Sequence, residues 1–358
     1  MTTVGEAPAA SRAGRAPAPV APLIREAWYV VAARDEVDRT LRQRWVLGEP
    51  VCFYRTEDGT AVVLDDRCAH RRFPLSRSRL EGDTVRCGYH GFAYGPDGQC
   101  VSVPGADPGG IRVRSYPVVE RGPWVWIWTG ADPTAADPDL IPWPTAVVEG
   151  GEFVTGYSFD PTNYNLVHEN LLDLTHLQFL HGVGQSEFTE AAPVLLGAEQ
   201  LPRGFAQRSV GYAKELTTTL GAFAIPVGVA PSLPVDRSGR IISVLPALNY
   251  AIDEVTPHDP AATPLRRVVI AHCLTPADLT STHQFWTWWQ DVPFAIPRTD
   301  MTAFITRVFN QDVEAFTWTQ EYIDRDTREG VVEQSVPADV PGLRVRRQLH
   351  RLAAAERG

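Results

Sequence analysis

Two short clusters of metal-binding side chains constrain this chain more than any other feature. They read Cys68-Ala-His70 and Cys87-Gly-Tyr-His90, so each offers one thiolate and one imidazole. Two Cys and two His suit either a tetrahedral zinc ion or a [2Fe–2S] cluster in which imidazoles hold one of the irons. Zinc motifs usually pair ligands of one type at short spacing. Because each cluster here mixes both types, each can give one ligand to each iron, and the pattern favours [2Fe–2S].

The residues around these clusters resemble a known family. Cys-Ala-His-Arg, beginning at Cys68, and Cys-Gly-Tyr-His-Gly-Phe, beginning at Cys87, are similar to the ligand loops of Rieske non-haem iron oxygenases. The resemblance implies that Cys68 and Cys87 bind one iron and that His70 and His90 bind the other. Respiratory Rieske proteins have an extra Cys in each loop. This chain has neither, so the resemblance is to the oxygenase branch.

Composition narrows the class of protein and its surroundings. A chain of 358 residues with 44% apolar and 21% charged residues can form two globular domains. Its net charge of −10 argues against nucleic acid or an anionic membrane as a partner, and it has no apolar run long enough for a membrane-spanning helix. Cys52, Cys100 and Cys273 have no disulfide spacing, which fits a reducing compartment. We therefore expect a cytoplasmic protein.

The order of sequence patterns predicts two domains of an α+β protein. Residues 1–23 are rich in Ala and Pro without an apolar core and predict a flexible tail. Short strand-like segments separated by turns predict an all-β Rieske [2Fe–2S] domain over 24–140. A linker rich in Pro and Asp leads into a mononuclear iron catalytic domain over 141–335, and 336–358 is expected to be a C-terminal tail. The resemblance implies that the catalytic domain has a helix-grip (START-like) fold with an antiparallel sheet.

A second group of candidate ligands falls on one predicted helix, Asn163–Leu180. We expect Asp160 to cap this helix, with Pro161 at its first position. On a regular helix, His181 would lie about 140° around the axis from His176, too far for the two imidazoles to bind one metal ion. We therefore expect the helix to break near Phe179 and to turn His181 inward.

Helical geometry brings three other polar side chains to one face of this helix. At about 100° per residue, Asn170, Asp173 and His176 lie on one side, whereas His168 points away and is interpreted as structural. Two His and one carboxylate form the facial triad of non-haem Fe(II) enzymes. The pattern therefore predicts a mononuclear iron site that includes His176 and His181.

The run from Glu169 to His181 resembles the Asp-x2-His-x4-His motif of vanillate demethylases and dicamba monooxygenase. The resemblance implies that both His bind iron. It also implies that Asp173 carries electrons from the Rieske cluster of a neighbouring subunit, and that Asn170 lies near the iron. Because Asp173 has this bridging role, the third ligand is expected elsewhere.

The last helical pattern offers two carboxylates for that third position. It contains Asn310-Gln-Asp312-Val-Glu314, and the resemblance implies that Asp312 completes the iron site. Relatives usually have a Glu five residues after this Asp, where this chain has Thr317. Glu314 therefore stays a competitor of Asp312.

The substrate pocket is predicted from a run on two later strands. Residues 271–276, followed by His283, resemble dicamba monooxygenase, in which the matching second His contacts the substrate. We therefore expect His283, and with it Asn249, to contact the substrate. A run of aromatic residues follows, and strand alternation allows only one pair to line a pocket: either Trp286 with Trp288, or Phe285 with Trp289.

The resemblance covers residues 24–330 and implies the terminal oxygenase of a Rieske monooxygenase system. Electrons from NAD(P)H would arrive through a separate reductase or ferredoxin. With O2, the enzyme would hydroxylate or O- or N-demethylate an aromatic, methoxylated or carboxylated substrate. The resemblance also implies a homotrimer, because in the family the two metal centres of one chain lie too far apart.

Three other functions stay open. A Rieske oxygenase of specialised metabolism would hydroxylate, desaturate or cyclise a larger apolar molecule. A pure Rieske electron carrier would need only the first domain, and a zinc-binding interaction module would be colourless. The Arg-rich segment Arg344–Arg351 is interpreted as a solvated helix face, with docking of an acidic reductase as the alternative.

Overall fold

The structure is a computed structural model that describes residues 19–144, 151–181, 194–201, 204–213, 235–257, 266–328 and 333–357. Most of the predicted N-terminal tail, residues 1–18, lies outside the described residues. Its described end is packed against the protein rather than free, because Ala21 is fully buried and its N–H donates to Asn163 Oδ1 over 3.0 Å. Among the described helices, none has the length and apolar character needed to cross a membrane.

The N-terminal domain consists of ten short strands in three antiparallel sheets. The strands are β1 (Trp28–Ala33), β2 (Arg42–Val46), β3 (Glu49–Arg55), β4 (Ala61–Asp65), β5 (Arg79–Glu81), β6 (Thr84–Arg86), β7 (Ala93–Tyr94), β8 (Cys100–Ser102), β9 (Val118–Arg121) and β10 (Trp124–Trp128). Their orders are β1-β10-β9, β2-β3-β4 and β5-β6-β7-β8. Alternating apolar side chains such as Tyr29, Phe53 and Ile127 form the core between them. The predicted all-β Rieske domain is confirmed.

The C-terminal domain contains one seven-stranded antiparallel sheet. Its strands are β11 (Glu152–Asp160), β12 (Val194–Leu201), β13 (Gly204–Ala213), β14 (Val235–Val244), β15 (Leu248–Pro257), β16 (Arg266–Pro276) and β17 (Thr282–Gln290). They follow the order β11-β17-β16-β15-β14-β13-β12. The helices are α1 (Tyr164–Leu172), α2 (Leu177–Leu180), α3 (Arg298–Arg325) and α4 (Val340–Ala355). An antiparallel sheet with few helices confirms the predicted fold class.

Strand β17 is covered on both faces, and this arrangement separates two environments. All nine of its residues are buried. Trp286 and Trp288 pack against Met301 of α3 on one face. Phe285, on the other face, packs against Trp124 of the Rieske domain. The sheet therefore has one face toward the long helix and one toward the Rieske domain.

The predicted C-terminal tail is instead a helix packed into the domain. Val345 and Leu349 of α4 are fully buried beside Tyr164 and Leu172 of α1. Their spacing of four residues places them on one stripe of the helix. The prediction of a tail over 336–358 was wrong, because the apolar stripe is interleaved with arginines and is hard to see in the sequence.

Two candidate metal centres

Two loops of the Rieske domain begin at a cysteine and fold in the same way. The N–H of Cys68 donates to the carbonyl oxygen of Phe73 over 2.9 Å, and the N–H of Cys87 donates to that of Phe92 over 2.7 Å. Each bond joins a cysteine to the residue five positions later. The two predicted clusters therefore lie on equivalent loops.

A second bond closes each loop at the fourth residue after the cysteine. Arg72 N–H donates to Cys68 O over 2.8 Å, and Gly91 N–H donates to Cys87 O over 3.1 Å. Both closing residues have positive φ, 58° for Arg72 and 74° for Gly91. This backbone costs an arginine roughly 1 kcal/mol, so the loop retains it only because the closure requires it.

The four predicted cluster ligands divide by burial. The Cys68 and Cys87 thiols are buried, whereas His70 and His90 are exposed, with ring centroids 4.6 Å apart. Burial raises the pKa of the Cys87 thiol, so iron would supply the positive charge that a thiolate needs there. Two buried sulfurs and two exposed imidazoles fit a [2Fe–2S] cluster that has its histidine-bound iron at the surface.

Tyr94 is a residue of this centre that sequence reasoning missed. Its hydroxyl oxygen accepts from Ala69 N–H over 3.1 Å and lies 3.2 Å from Cys68 Sγ, so the O–H is left to donate to sulfur. Hydrogen bonds to cluster sulfurs tune the reduction potential. The only sequence feature that could have identified Tyr94 was its position two residues after the second ligand loop.

The helix that carries the second set of candidates begins later and ends earlier than predicted. Its cap is Asn163, whose side chain accepts from Asn165 N–H over 3.0 Å, rather than Asp160. It ends at Leu172, because Asp173 is extended, with φ −109° and ψ 99°. The predicted break near Phe179 therefore occurs at Asp173.

Asp173 then starts a new turn in a different direction. Its carboxylate accepts from the backbone N–H of Thr175 over 2.9 Å and from its hydroxyl over 2.6 Å, which caps a 3-10 turn over Leu174–His176. The short helix α2 continues from this turn and ends before His181. Because the axis changes direction at Asp173, His176 and His181 are no longer kept apart by the angle that one regular helix would impose.

His176, His181 and Asp312 converge on one point. The Nε2 atoms of the two imidazoles lie 3.4 Å and 3.3 Å from Asp312 Oδ1, and the rings are 5.3 Å apart at 75°. One ligand atom from each residue lies within 4.8 Å of the others. These three residues could hold a metal ion with two imidazoles and one carboxylate.

Neighbouring groups fix which nitrogen of each imidazole is free. His176 Nδ1–H donates to the backbone oxygen of Asp173, and His181 Nδ1–H donates to Gln311 Oε1 over 2.9 Å. Nε2 of each ring therefore keeps its lone pair for a metal. Gln311 was missed by sequence reasoning, although it directly precedes Asp312. Asn170 completes the group, because its amide donates to Asp312 Oδ1 over 3.2 Å.

Asp312 rather than Glu314 belongs to this group. Burial opposes its ionisation, but the adjacent imidazoles of His176 and His181, which donate to it when they are protonated, lower the pKa of Asp312 to about 2. Glu314, two positions further on α3, is exposed. Two residues rotate a helical position by about 200°, so Glu314 points to the other side.

His283 does not face this metal group, contrary to its predicted role. Its Nδ1 accepts from Tyr157 Oη–H over 2.9 Å, and its Nε2–H donates to the backbone oxygen of Trp45 over 2.9 Å. Trp45 belongs to β2 of the Rieske domain. His283 also shares a strand face with Phe285, the face toward that domain. The prediction of a substrate contact is corrected to a contact between domains.

His272 lies on the opposite face, toward α3, and was not selected from the sequence. It is directly across from Trp286 in β17, its ring lies 4.9 Å from that of Phe309, and its Nδ1 accepts from Gln284 Nε2–H over 2.7 Å. Burial lowers its pKa to about 4 despite the charge of Asp312. Strand alternation relative to Trp286 was the signal that could have identified it.

Asn249 lies on the same sheet face as His272, directly across from it in β15. Its amide donates to His168 Nδ1 over 2.6 Å and accepts from the hydroxyl of Ser243. His168 is fully buried, and its Nε2–H donates to Pro246 O over 3.0 Å. These bonds agree with a structural His168, and the role of Asn249 as a substrate contact stays a prediction.

Comparison with known families finds two matches in chain order. The family described as the Rieske [2Fe–2S] domain matches residues 27–117. The family described as the vanillate O-demethylase oxygenase C-terminal domain matches residues 161–355. The second match includes α4, which agrees with its packing into the catalytic domain.

Similar proteins are subunits or components of oxygenase systems. The iron–sulfur subunit TsaM1 of the toluene-4-sulfonate monooxygenase system of Comamonas testosteroni is 44% identical over 44% of this chain and 46% of its own length. The dicamba O-demethylase oxygenase component of Stenotrophomonas maltophilia is 42% identical over 44% and 48%. The chain thus matches about half the length of these curated relatives. The vanillate O-demethylase oxygenase subunit of Pseudomonas sp. (strain HR199 / DSM 7063) is 28% identical over 93% and 95%.

Solved structures support the same relationship over the full chain. Dicamba monooxygenase bound to 3,6-dichlorosalicylic acid superposes with a TM-score of 0.85 at 27% identity, covering 94% of this chain and 100% of that one. A structure of the same enzyme holds non-haem iron and dicamba. The chain therefore belongs to the family of the vanillate O-demethylase oxygenase C-terminal domain, here preceded by a Rieske [2Fe–2S] domain.

Proposed function

We propose that this chain is the terminal oxygenase component of a Rieske non-haem iron monooxygenase system. The observation that carries the proposal is the presence of two donor sets in one chain, the four ligands on the Rieske loops and the group of His176, His181 and Asp312. A pure electron carrier would use only the first set. The family matches and the full-length similarity to dicamba monooxygenase support the same function.

Each residue of the two centres has a role that follows from its contacts. A Rieske cluster supplies single electrons, and Fe(II) with open coordination positions activates O2. Cys68, Cys87, His70 and His90 would hold the cluster. At the other centre, Gln311 and the backbone of Asp173 orient the two imidazoles, and Asn170 orients the carboxylate of Asp312.

Asp173 is also suited to connect the two centres of an assembly. Its carboxylate caps the turn that carries His176, and its backbone oxygen accepts a hydrogen bond from the His176 imidazole. An electron that reaches Asp173 is therefore one hydrogen bond away from this imidazole. We propose that it faces the cluster of a neighbouring copy in a homotrimer in the cytoplasm. Electrons would come from NAD(P)H through a separate reductase or ferredoxin.

The substrate we propose is an aromatic compound that carries a methoxy, N-methyl or carboxyl group. Between the sheet and α3, the aromatic rings of Trp286 in β17 and Phe309 in α3 lie beside the polar side chains of His272 and Gln284. Such a lining suits a flat ring with a polar substituent. The matched relatives are named for toluene-4-sulfonate, dicamba and vanillate.

The test combines metal analysis with turnover. Anaerobically purified protein is expected to hold about three irons and two acid-labile sulfides per chain, with a Rieske EPR signal after reduction. With a reductase and NADH, it should release formaldehyde from a methoxybenzoate. His176→Ala should lose one iron and all turnover but keep the EPR signal. Zinc without sulfide, or loss of the EPR signal in His176→Ala, would refute the two-centre assignment.

A further inference from the structure

Asp160, at the end of β11, is a buried carboxyl group that belongs to neither metal centre. Its side chain is fully buried, and neither carboxyl oxygen has a hydrogen-bond partner among the described residues. The hydroxyl of Ser158, two residues earlier, is also buried and has no partner in the described part of the chain. Nearly all buried polar groups are hydrogen-bonded, because leaving one without a partner costs free energy. Two such groups side by side therefore indicate a chemical role rather than a role in stability.

Both side chains face the space between the catalytic sheet and α3. Alternation along β11 places Ser158 and Asp160 on the same face as Val154. Val154 packs against Met301 of α3. The two polar groups are therefore enclosed between β11 and the helix that carries Asp312.

Asp160 lies close to the metal group without being part of it. Asp312 and Gln320, about two turns apart on α3, are both buried. Gln320 Oε1 accepts from the hydroxyl of Thr162 over 3.4 Å, and Thr162 N–H donates to the backbone oxygen of Asp160 over 2.8 Å. The charge of Asp312 also contributes to raising the pKa of Asp160. Both carboxyl groups therefore face the same enclosed space.

Few ionisable groups face Asp160 in this space. The paired strand β17 contributes Thr282 and Gln284, which carry no charge. His272 of β16 is neutral, because burial lowers its pKa to about 4, and α3 contributes Asp312. Among the described residues, no cation contributes to the pKa of Asp160, which burial raises to about 7. The carboxyl group is therefore protonated over most of the pH range in which exposed carboxyls are ionised.

We propose that Asp160 stores a proton for the oxygenation reaction, and that the hydroxyl of Ser158 passes this proton into the space beside Asp312. The inference rests on the proposed function and names a residue that this reaction requires besides the ligands of the two centres. A hydroxyl suits the relay, because it can accept one proton and donate another. A carboxyl group that titrates near the working pH is suited to give up a proton and to regain it.

The proton balance of the reaction gives the stored proton its use. Insertion of one oxygen atom into a C–H bond consumes O2, two electrons and two protons, and it releases one water molecule. One proton leaves Asp160 as its O–H bond breaks, and it ends in an O–H bond of that water. The second proton comes from solvent, and both electrons come from NAD(P)H through the reductase of the proposed function. Asp160 regains its proton from solvent before the next turnover.

The first experiment detects the stored proton without any turnover. Infrared difference spectra of the purified protein at about pH 6 compare wild type with Asp160→Asn. Wild type should show the C=O band of a protonated carboxyl group, which shifts in D2O and is absent from the variant, because ordinary carboxyls are ionised at this pH. Glu314→Gln, at an exposed position of α3, is the matched control and should keep the band. Absence of the band from wild type would refute the stored proton.

The second experiment measures turnover with the reductase, NADH and a methoxybenzoate. Asp160→Asn should lower kcat at least about tenfold and leave KM unchanged. It should also increase the solvent deuterium isotope effect on kcat, because proton transfer then limits the rate. Ser158→Ala removes the relay but keeps the acid, so it should keep the infrared band and show both kinetic changes. Glu314→Gln should match wild type, and all three variants should keep their iron and the Rieske EPR signal.

The outcomes separate failure of the proton store from failure of the proposed function. If wild type shows no Rieske signal or no turnover, the proposed function fails and the proton role fails with it, even where the infrared band is present. If wild type turns over and Asp160→Asn has the same kcat and isotope effect, only the proton store is refuted. Loss of iron from Asp160→Asn would assign Asp160 to positioning of the metal group and would also overturn the proposal.

Discussion

The imidazole Nε2–H of His283 donates to the backbone oxygen of Trp45 over 2.9 Å, and this bond ties a strand of the catalytic sheet to a strand of the Rieske domain. Arg44, next to Trp45, reinforces the junction, because its guanidinium lies 5.2 Å from the ring of Tyr157 and 5.3 Å from that of Phe285. Burial, with a contribution from Arg44, lowers the pKa of His283 to about 4. The neutral ring can therefore accept from Tyr157 and donate to Trp45 together.

His283→Ala is expected to destabilise the protein with little effect on substrate binding. The change leaves the Trp45 carbonyl without its donor, which costs about 1–3 kcal/mol. Urea unfolding gives the free energy, and steady-state kinetics gives KM. His272→Ala, on the face toward α3, is the matched variant and should raise KM instead. A raised KM with unchanged stability in His283→Ala would restore the original substrate role.

Iron content should distinguish the two carboxylates of α3. Asp312→Ala removes a predicted ligand and should leave the mononuclear site empty, whereas the exposed Glu314→Ala should retain its iron. Gln311→Ala removes the hydrogen bond that orients His181 and should weaken iron binding about 10- to 100-fold. Anaerobic titration with Fe(II) measures each affinity. Loss of iron from Glu314→Ala but not from Asp312→Ala would reverse the assignment.

Asp160→Asn is expected to stabilise the protein at neutral and higher pH. Asp160 is fully buried, and neither carboxylate oxygen has a hydrogen-bond partner among the described residues. Burial, with a smaller effect of the Asp312 charge, raises the pKa of Asp160 from 3.8 to about 7. The folded state therefore holds this proton more tightly than the unfolded state does, and stability falls as pH rises from about 4 to about 7.

At pH 8 the gain from Asp160→Asn could approach about 4 kcal/mol, the free-energy equivalent of three pKa units. At pH 3 it should nearly vanish, because the carboxyl is then mostly protonated in both states. Thermal unfolding of metal-free wild type and variant across this range measures the difference. A gain of the same size at both pH values would show that ionisation of Asp160 is not its cause.

Arg346 should be necessary for the position of α1. This buried arginine of α4 contacts Glu169 of α1 with Nε and Nη2, at 2.5 and 2.6 Å, and Glu333 with Nη1 at 2.5 Å. Arg346→Ala removes the guanidinium from the carboxylate of Glu169, which keeps only the weaker, uncharged amide donor of Asn165 among the contacts described, and this is expected to cost about 3 kcal/mol. Because α1 leads into the turn with His176, we also expect weaker iron binding.

Arg344→Ala is the control for that change, since Arg344 lies on the exposed side of the same helix. Chemical denaturation and iron content of the two variants are compared. Equal stability of both would mean that α4 is held by its apolar stripe alone.

The local spacing of Cys68, His70, Cys87 and His90 was enough to predict the Rieske domain, because all four ligands lie within two short loops. The two histidines of the second centre were predicted in the same way from one continuous motif. Asp312 was predicted from a resemblance, with Glu314 as the competing third ligand. Only the packing of α3 against α1 distinguishes the two carboxylates. In each of these cases the residues that decide the chemistry are close in sequence or lie on one regular element.

Other properties depended on contacts between distant segments. The sequence around Asp173 is compatible with a continuous helix, so no local pattern shows that the helix ends there. The helix ends because the Asp173 carboxylate instead caps a new turn by accepting from Thr175. Likewise, His272 and His283 are equally plausible on paper. Strand alternation places them on opposite faces, but only the packing of the Rieske domain on one face and α3 on the other decides which histidine lies toward the helix that carries Asp312. The sequence alone determined which metals the side chains can bind, because ligand type and spacing are local, and tertiary packing decided which face of the sheet lies toward α3 and Asp312.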